Sequence, residues 1–219
     1  MEQEILAGVG QSGDVATRAQ KVLLTLRESN VFKPSVKQMV ENLKDARFFT
    51  AFFYVANEVS GGALTTSDLF AKLDQTPSVG VLNFTSKKID SETAMVIERL
   101  ELQWASVVSS NTSAAKDIVA GLVYSPVFSV DNSAPAAIQN GEIEFSINSK
   151  IVAKVPVSAF EETVDGVAAC PYGLNLEALQ LLQTDETVGV KFVAASSFAD
   201  SSTRYFLKLG VRGLGLMKR

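Results

Sequence analysis

Two periods of apolar residues divide this chain. From Asp14 to Asn30 (DVATRAQKVLLTLRESN), Val15, Ala19, Val22, Leu23 and Leu26 recur three and four positions apart. That spacing puts them on one face of a helix, with Arg18, Gln20, Lys21, Arg27 and Glu28 over the rest of its surface. Asp14 suits an N-cap, and Ser29–Asn30 a stop. Pro34 opens a second predicted helix that reaches Arg47, with Val36, Met39, Val40 and Leu43 as its stripe. Gly61–Gly62 then breaks the pattern, and beyond it the period falls to two.

The period-two region predicts strands. In Thr93–Ala105, Leu100, Leu102 and Trp104 point one way and Arg99, Glu101 and Gln103 the other, as in a half-buried strand. In Glu142–Val157 (EIEFSINSKIVAKVPV), Ile143, Phe145 and Ile147 alternate with polar residues, and Asn148–Ser149 supplies a turn. Ile151, Ala153, Val155 and Val157 alternate on the return, which predicts a hairpin with one buried face. Further strands are predicted at Phe52–Val59, Val79–Thr85, Leu122–Val130, Thr187–Ala195 and Arg204–Gly213. Pro126 pushes its segment toward an edge or a bulge. Leu174–Gln183 (LNLEALQLLQ) reads as a helix-like insert.

Several short strands without regular crossover helices make the predicted class all-β, an antiparallel sandwich or barrel. Eight strands of unequal spacing with long connections suit an eight-stranded jelly roll better than an up-and-down barrel. An immunoglobulin-like sandwich is the main competitor, and its paired cysteines are missing here. The domain reading is a short helical N-terminal arm over 1–50 and a jelly-roll domain over 51–219. The expected core includes Leu100, Leu102, Trp104, Ile143, Phe145, Ile147, Leu207 and Leu209.

Composition narrows the chemistry. The 219 residues include no histidine, which removes Ser-His-Asp and Cys-His catalysis and imidazole metal ligation. The single Cys170 excludes an intrachain disulfide and a cysteine-cluster metal site, and its VAACPYG setting reads as a structural thiol. The net charge of -4 is no footprint for nucleic acid over the whole chain. The most apolar run, Phe48–Ala56 (FFTAFFYVA), is too short to span a bilayer as a helix, which takes about 20 residues. It reads as core, with a partner or lipid surface as the sharper option. Met1–Gly10 carries Glu2 and Glu4 and no basic residue, so it is not read as a secretory signal.

Four motifs look chemical and lack their context. Gly8, Gly10 and Gly13 match the dinucleotide fingerprint, yet only Ile5 and Leu6 could build the strand before it. Ser113-Ala114-Ala115-Lys116 matches a serine–lysine acyl-enzyme motif without the Ser-Asp-Asn element that such enzymes use. Glu161–Glu162 and Asp185–Glu186 are acid pairs of the kind solvated loops carry. Asn83-Phe84-Thr85 fits a glycosylation sequon with no secretion signal beside it. No catalytic set, cofactor site or metal site is therefore expected.

The end of the chain is basic. No acid follows Asp200, while Arg204, Lys208, Arg212, Lys218 and Arg219 do. On a strand, Arg204, Lys208 and Arg212 share one face, and Tyr205, Leu207, Leu209 and Val211 share the other. The first face is read either as solvated or as a contact for something acidic: nucleic acid, phospholipid head groups or a neighbouring subunit.

The helical arm, the strands VGVLNF and MVIERLELQW, the hairpin GEIEFSINSKIVAKVPVSAF and the closing YFLKLGVRGLGL follow one another in an order that resembles a known group. It is similar to the jelly-roll capsid proteins of tailless icosahedral bacteriophages, including those that enclose a lipid membrane, over residues 50–219. The chain has room for one jelly roll, whereas many membrane-containing phages use two per chain. The resemblance implies a structural virion protein, not an enzyme, that self-assembles into an icosahedral shell. Its partners would be further copies and other capsid proteins, with an internal membrane or genome in contact and no small-molecule substrate. It would be made in the host cytoplasm and reside in the virion. The stripe Val15, Val22, Leu23 and Leu26 would carry subunit contact. Two other classes stay open: a carbohydrate- or protein-binding β-sandwich module, and an enzyme limited to carboxylate, lysine or tyrosine chemistry.

Overall fold

The computed structural model describes residues 34, 37, 46–59, 66–71, 73, 76–89, 93–129, 132–160, 173–198 and 200–218. Among them, nine strands run in chain order. The first five are β1 (Ala46–Glu58), β2 (Thr66–Asp68), β3 (Thr93–Val108), β4 (Ser125–Pro126) and β5 (Glu142–Ile147). The others are β6 (Lys150–Pro156), β7 (Gly173–Gln183), β8 (Val188–Val193) and β9 (Thr203–Lys218). Two short helices, α1 (Ala115–Val119) and α2 (Ala136–Gln139), lie in the connection from β3 to β5. The chain is an all-β fold of two antiparallel sheets. One has the order β1-β9-β3, with β4 and β7 both pairing β3, and the other the order β2-β8-β5-β6.

The pairings nest. β1 pairs β9, β2 pairs β8, β3 pairs β7 and β5 pairs β6, all antiparallel, so the partners move outward together from the β5–β6 turn. At that turn Asn148 and Ser149 both have positive φ, 51° and 64°, the combination a two-residue hairpin needs to match strand twist. The Asn148 side chain also accepts from Thr187 N at 3.0 Å and donates to Glu186 Oε1 at 3.3 Å. Glu186 Oε2 accepts from Gln183 N at 2.7 Å. One member of the Asp185–Glu186 acid pair thus braces the β7–β8 turn against the hairpin tip.

The two sheets share one core. All eight residues expected there are buried, joined by Phe53, Val190, Phe192 and Val211 from both sheets. The alternation that predicted them operates because each strand has one face turned to this core and one turned away.

Six local readings need correction. Leu174–Gln183 is strand β7, not a helix-like insert. Leu, Glu, Ala and Gln favour helices locally, and pairing with β3 overrides that preference. Its alternation is also broken: one residue of β3, between Ile97 and Arg99, faces the four residues of β7 between Asn175 and Gln180. The second predicted helix ends too late, because Ala46 and Arg47 already belong to β1. Pro34 and Lys37 are helical, and the rest of the arm, with Val15, Val22, Leu23 and Leu26, lies outside the described residues.

Val79–Thr85 is a docked loop, not a strand. Gly80 turns it at φ 83°, and Ser78, Leu82 and Thr85 make isolated bridges. It covers the free edge of β1 through Ala56 N to Val81 O (2.8 Å) and Asn83 N to Tyr54 O (3.2 Å). The Asn83 side chain accepts from Tyr54 N at 2.6 Å and donates to Phe52 O at 2.8 Å. An exposed strand edge invites foreign pairing, and this loop blocks part of it. It also commits the amide of the Asn83 sequon to structure. The segment Leu122–Val130 contracts to the two residues of β4, and β2, too short to show a period, was not legible.

Ile151 points outward, against the predicted buried face of the hairpin. A bulge lets Phe145 pair Ala153 and Ser146 pair Ile151, so Ile151 shares the outward face of Ser146 and is 52% exposed. Ala153, Val155 and Val157 keep their inward or partly buried positions.

This division of the hairpin gives a direct stability test. Phe145 is fully buried, so Phe145→Ala is expected to cost roughly 3–5 kcal/mol in denaturant unfolding. Ile151→Ala is expected to change stability by about 0.5 kcal/mol or less. Equal losses for the two variants would show that the register is wrong.

Candidate interaction face on the closing strand

β9 lies between β1 and β3, so its outward residues are flanked by side chains from both neighbours. Arg204, Lys208 and Arg212 share that outward face, as their spacing predicts, while Leu207, Leu209 and Val211 are buried in the core. Tyr205 is partly buried and packs its ring on Phe198 at 5.3 Å and near Trp104 at 6.5 Å. Lys218 ends β9 opposite Ala46. The side chain of Lys218, and all of Arg219, lie outside the described residues.

The three cations have three different environments. Arg204 is a clamp. Its Nε donates to Glu58 Oε1 at 3.0 Å and its Nη2 to Glu58 Oε2 at 2.7 Å. Its Nη1 donates to the carbonyls of Asn111 (2.7 Å) and Ser113 (2.9 Å). This planar fork ties the end of β1, the start of β9 and the loop before α1 together, in a geometry that lysine lacks. The bonds to Glu58 hold the guanidinium charged more firmly than usual. Ser113, the serine of the Ser-x-x-Lys match, is an exposed loop residue whose carbonyl serves this clamp.

Lys208 sits in an aromatic slot. Its Nζ lies 4.7 Å from the Tyr54 ring centre and 5.5 Å from that of Tyr124, within cation–π range. Burial lowers its pKa, and the charge of Glu101 opposes that shift. The Tyr124 hydroxyl is itself buried with no hydrogen-bond partner, and burial raises its pKa.

Arg212 is directed at a buried carboxylate. Glu101, only 4% exposed, faces outward from β3, with Oε1 3.0 Å from Arg212 Nε and 3.8 Å from Arg99 Nε. Arg99 and Arg212 are direct cross-strand partners, a like-charge pairing that is unfavourable unless an anion lies between them. Glu101 supplies that anion. The Arg212 guanidinium also lies 5.5 Å from the Phe52 ring centre. Phe52 is 36% exposed and lies across Gly210, where any Cβ would come within 2.7 Å of its ring. Gly173 does the same for Arg99, whose guanidinium occupies the space a side chain would need.

The basic residues and their common face were legible in the sequence. Their partners were not: Glu58 lies 146 positions from Arg204. Glu101 gave a signal, as an acid on the outward face of β3. Among the expected absences and motifs, Gly8–Gly13, Glu161–Glu162 and Cys170 lie outside the described residues. Among the described residues no cluster of three metal-ligating side chains occurs, and no helix is long and apolar enough to cross a membrane.

Two substitutions test this arrangement. Arg204→Gln is expected to cost about 1–3 kcal/mol, because it removes the charged fork that bonds both oxygens of the half-buried Glu58 and two loop carbonyls. Arg204→Lys should recover only part of that loss in thermal or denaturant unfolding. Tyr124→Phe should keep or raise stability at neutral pH, since it removes a buried hydroxyl that has no partner. The sign in alkali follows from the raised pKa of Tyr124. The unfolded tyrosine loses its proton near pH 10 while the folded one retains it, so stability from this group is full below that pH and falls above it. Unfolding curves on either side of pH 10 should show a smaller alkaline loss for Tyr124→Phe than for the wild type. Comparison of the chain with family models, with curated proteins and with solved structures finds no match, so its role is read from its own residues.

Proposed function

We propose that the chain is a structural virion protein, a jelly-roll capsid subunit that self-assembles into an icosahedral shell. The observation that carries this reading is the nested pairing. The pairs β1·β9, β2·β8, β3·β7 and β5·β6 trace one long antiparallel ribbon folded at Asn148–Ser149. Successive pairs fall in alternate sheets: β1·β9 and β3·β7 in one, β2·β8 and β5·β6 in the other. A ribbon wrapped in this manner supports the eight-stranded jelly roll, an architecture of viral capsid and lectin domains. The two-residue β4 adds nothing to the ribbon.

The composition favours a building block over a catalyst, since a chain without histidine has a narrow choice of acid–base groups. Subunit contact is assigned to the stripe Val15, Val22, Leu23 and Leu26, whose spacing predicts an apolar helix face that would need a surface to cover it. Copies of the chain and other capsid proteins are the partners in this reading. The basic end of the chain then lies toward an acidic element of the particle, and the virion is the location. A second reading, a carbohydrate- or protein-binding sandwich, is favoured by one observation: the half-exposed Phe52 ring beside Arg212.

Negative-stain microscopy and mass measurement of the purified full chain separate the two. Closed shells or defined multimers are expected, and a monomer at every concentration would favour the binding module. A variant lacking residues 1–30 is expected to keep a folded sandwich and lose higher assembly. Normal assembly of that variant would remove the arm from the contact.

A further inference from the structure

We infer that the outward guanidinium of Arg212, seated between Phe52 and Glu101, is the socket for a carboxylate from a second copy of this chain. The inference rests on the self-assembly reading above and assigns it a contact that the helical stripe does not provide.

The argument begins with what Arg212 leaves unused. An arginine has five N–H donors in a fixed fork. Its Nε forms an ion pair with Glu101 Oε1 at 3.0 Å without hydrogen-bond geometry, its guanidinium lies over the Phe52 ring, and its terminal nitrogens make no hydrogen bond among the described residues. Its side chain is 44% exposed, so that end of the fork reaches the surface. Arg204 is the contrast on the same strand face: its fork is filled by Glu58 and two carbonyls. Lys208, on the other side of Glu101, has no carboxylate within ion-pair distance among the described residues, and its ammonium lies against the Tyr54 and Tyr124 rings. Around the buried Glu101 the face therefore brings together Lys208 and the open fork of Arg212, with Arg99 opposite Arg212 across the strands.

The character of the surroundings points to a protein partner. A rigid arginine on an aromatic ring, anchored from below and open above, is the composition of an interface hot spot. A planar fork next to a desolvating ring selects a planar carboxylate in bidentate geometry. One exposed ring offers little for successive bases to stack on, which a nucleic-acid platform requires. The chain holds 24 acidic against 20 basic residues, so a second copy has acids to supply. Asp117 on α1 and Asp185 in the β7–β8 turn are exposed, and their carboxylates make no hydrogen bond or ion pair among the described residues.

The test uses the full chain, with self-association followed by sedimentation across protein concentration and salt. Arg212→Gln is expected to weaken association roughly tenfold or more and to flatten its salt dependence. Arg212→Lys, which keeps charge without the fork, should recover little of it. Arg212→Glu combined with Asp117→Lys or Asp185→Lys should restore association if that acid is the partner. Thermal unfolding of each variant shows whether the subunit remains folded, and a salt series on the wild type reads the same contact if a variant does not. Wild-type association that is matched by Arg212→Gln and insensitive to salt overturns the socket while leaving self-assembly standing. A wild type that stays monomeric overturns both. Salt-sensitive binding to anionic vesicles or single-stranded nucleic acid that Arg212→Gln abolishes, with self-association unchanged, would overturn the second copy as occupant.

Discussion

β9 is the strand on which the rest of the structure depends. It is paired along nearly its whole length on both sides, with β1 from Glu58 to Ala46 and with β3 from Val108 to Thr93. A strand so placed has no free edge, and its two faces have to meet two different demands. Inward, Leu207, Leu209 and Val211 close the core against the second sheet. Outward, Phe206 is buried and Gly210 lies beneath the Phe52 ring, while Arg204, Lys208 and Arg212 carry charge. A shift of one residue would put three cations into the core, so the register is fixed as strongly by the charges as by the leucines.

Charge on a central strand has to be compensated locally, and neighbouring strands supply the compensation. Glu58 comes from β1 and Glu101 from β3, each reaching a different arginine. Tyr54 reaches Lys208 from β1, and Tyr124 from the chain just before β4. The two arginine sites differ in what they leave over. The Glu58 site satisfies its arginine with four donor contacts, which suits a structural tie. The Glu101 site holds its arginine by one side only, with the carboxylate beneath and the terminal nitrogens unengaged, which suits recognition. The same residue type on the same strand thus has two different environments because of what stands beside it.

The sequence was legible where a strand has one wet face and one dry face. β5 and β8 meet that condition along their length and β9 at its charged positions, while β3 alternates in residue chemistry although its outward Glu101 is itself buried, and the alternating Leu, Ile, Phe and Val of these strands marked the core correctly. β7 does not, because its pairing with β3 is interrupted and its Leu, Glu, Ala and Gln have helical preferences of their own. The bulge that turns Ile151 outward inserts one residue, and nothing in the local pattern of KIVAKVP announces it. The loop carrying Asn83 looked like a strand because Val81, Leu82 and Phe84 are buried, yet its backbone is bonded in turns and isolated bridges rather than a continuous ladder, and the Asn83 amide takes up groups of β1. Of the candidate face, the basic stripe could be seen and its partners could not, since pairing strands distant in sequence leaves no local trace.

The nesting also orders the steps by which the face comes into being. Local pairing is possible at once only for β5 and β6, whose turn closes a short loop, while β1 and β9 are the most separated of the pairs. Contacts across such separations carry the largest loop-closure cost, and topologies dominated by them fold slowly. Three contacts that define the outward face, Phe52 with Arg212, Tyr54 with Lys208 and Glu58 with Arg204, join β1 to β9 and so arise only when that outermost pair has formed. An unfinished chain presents neither the clamp nor the socket. A surface completed by the last pairing would be available only to finished subunits, so the proposed association would follow folding without any separate device.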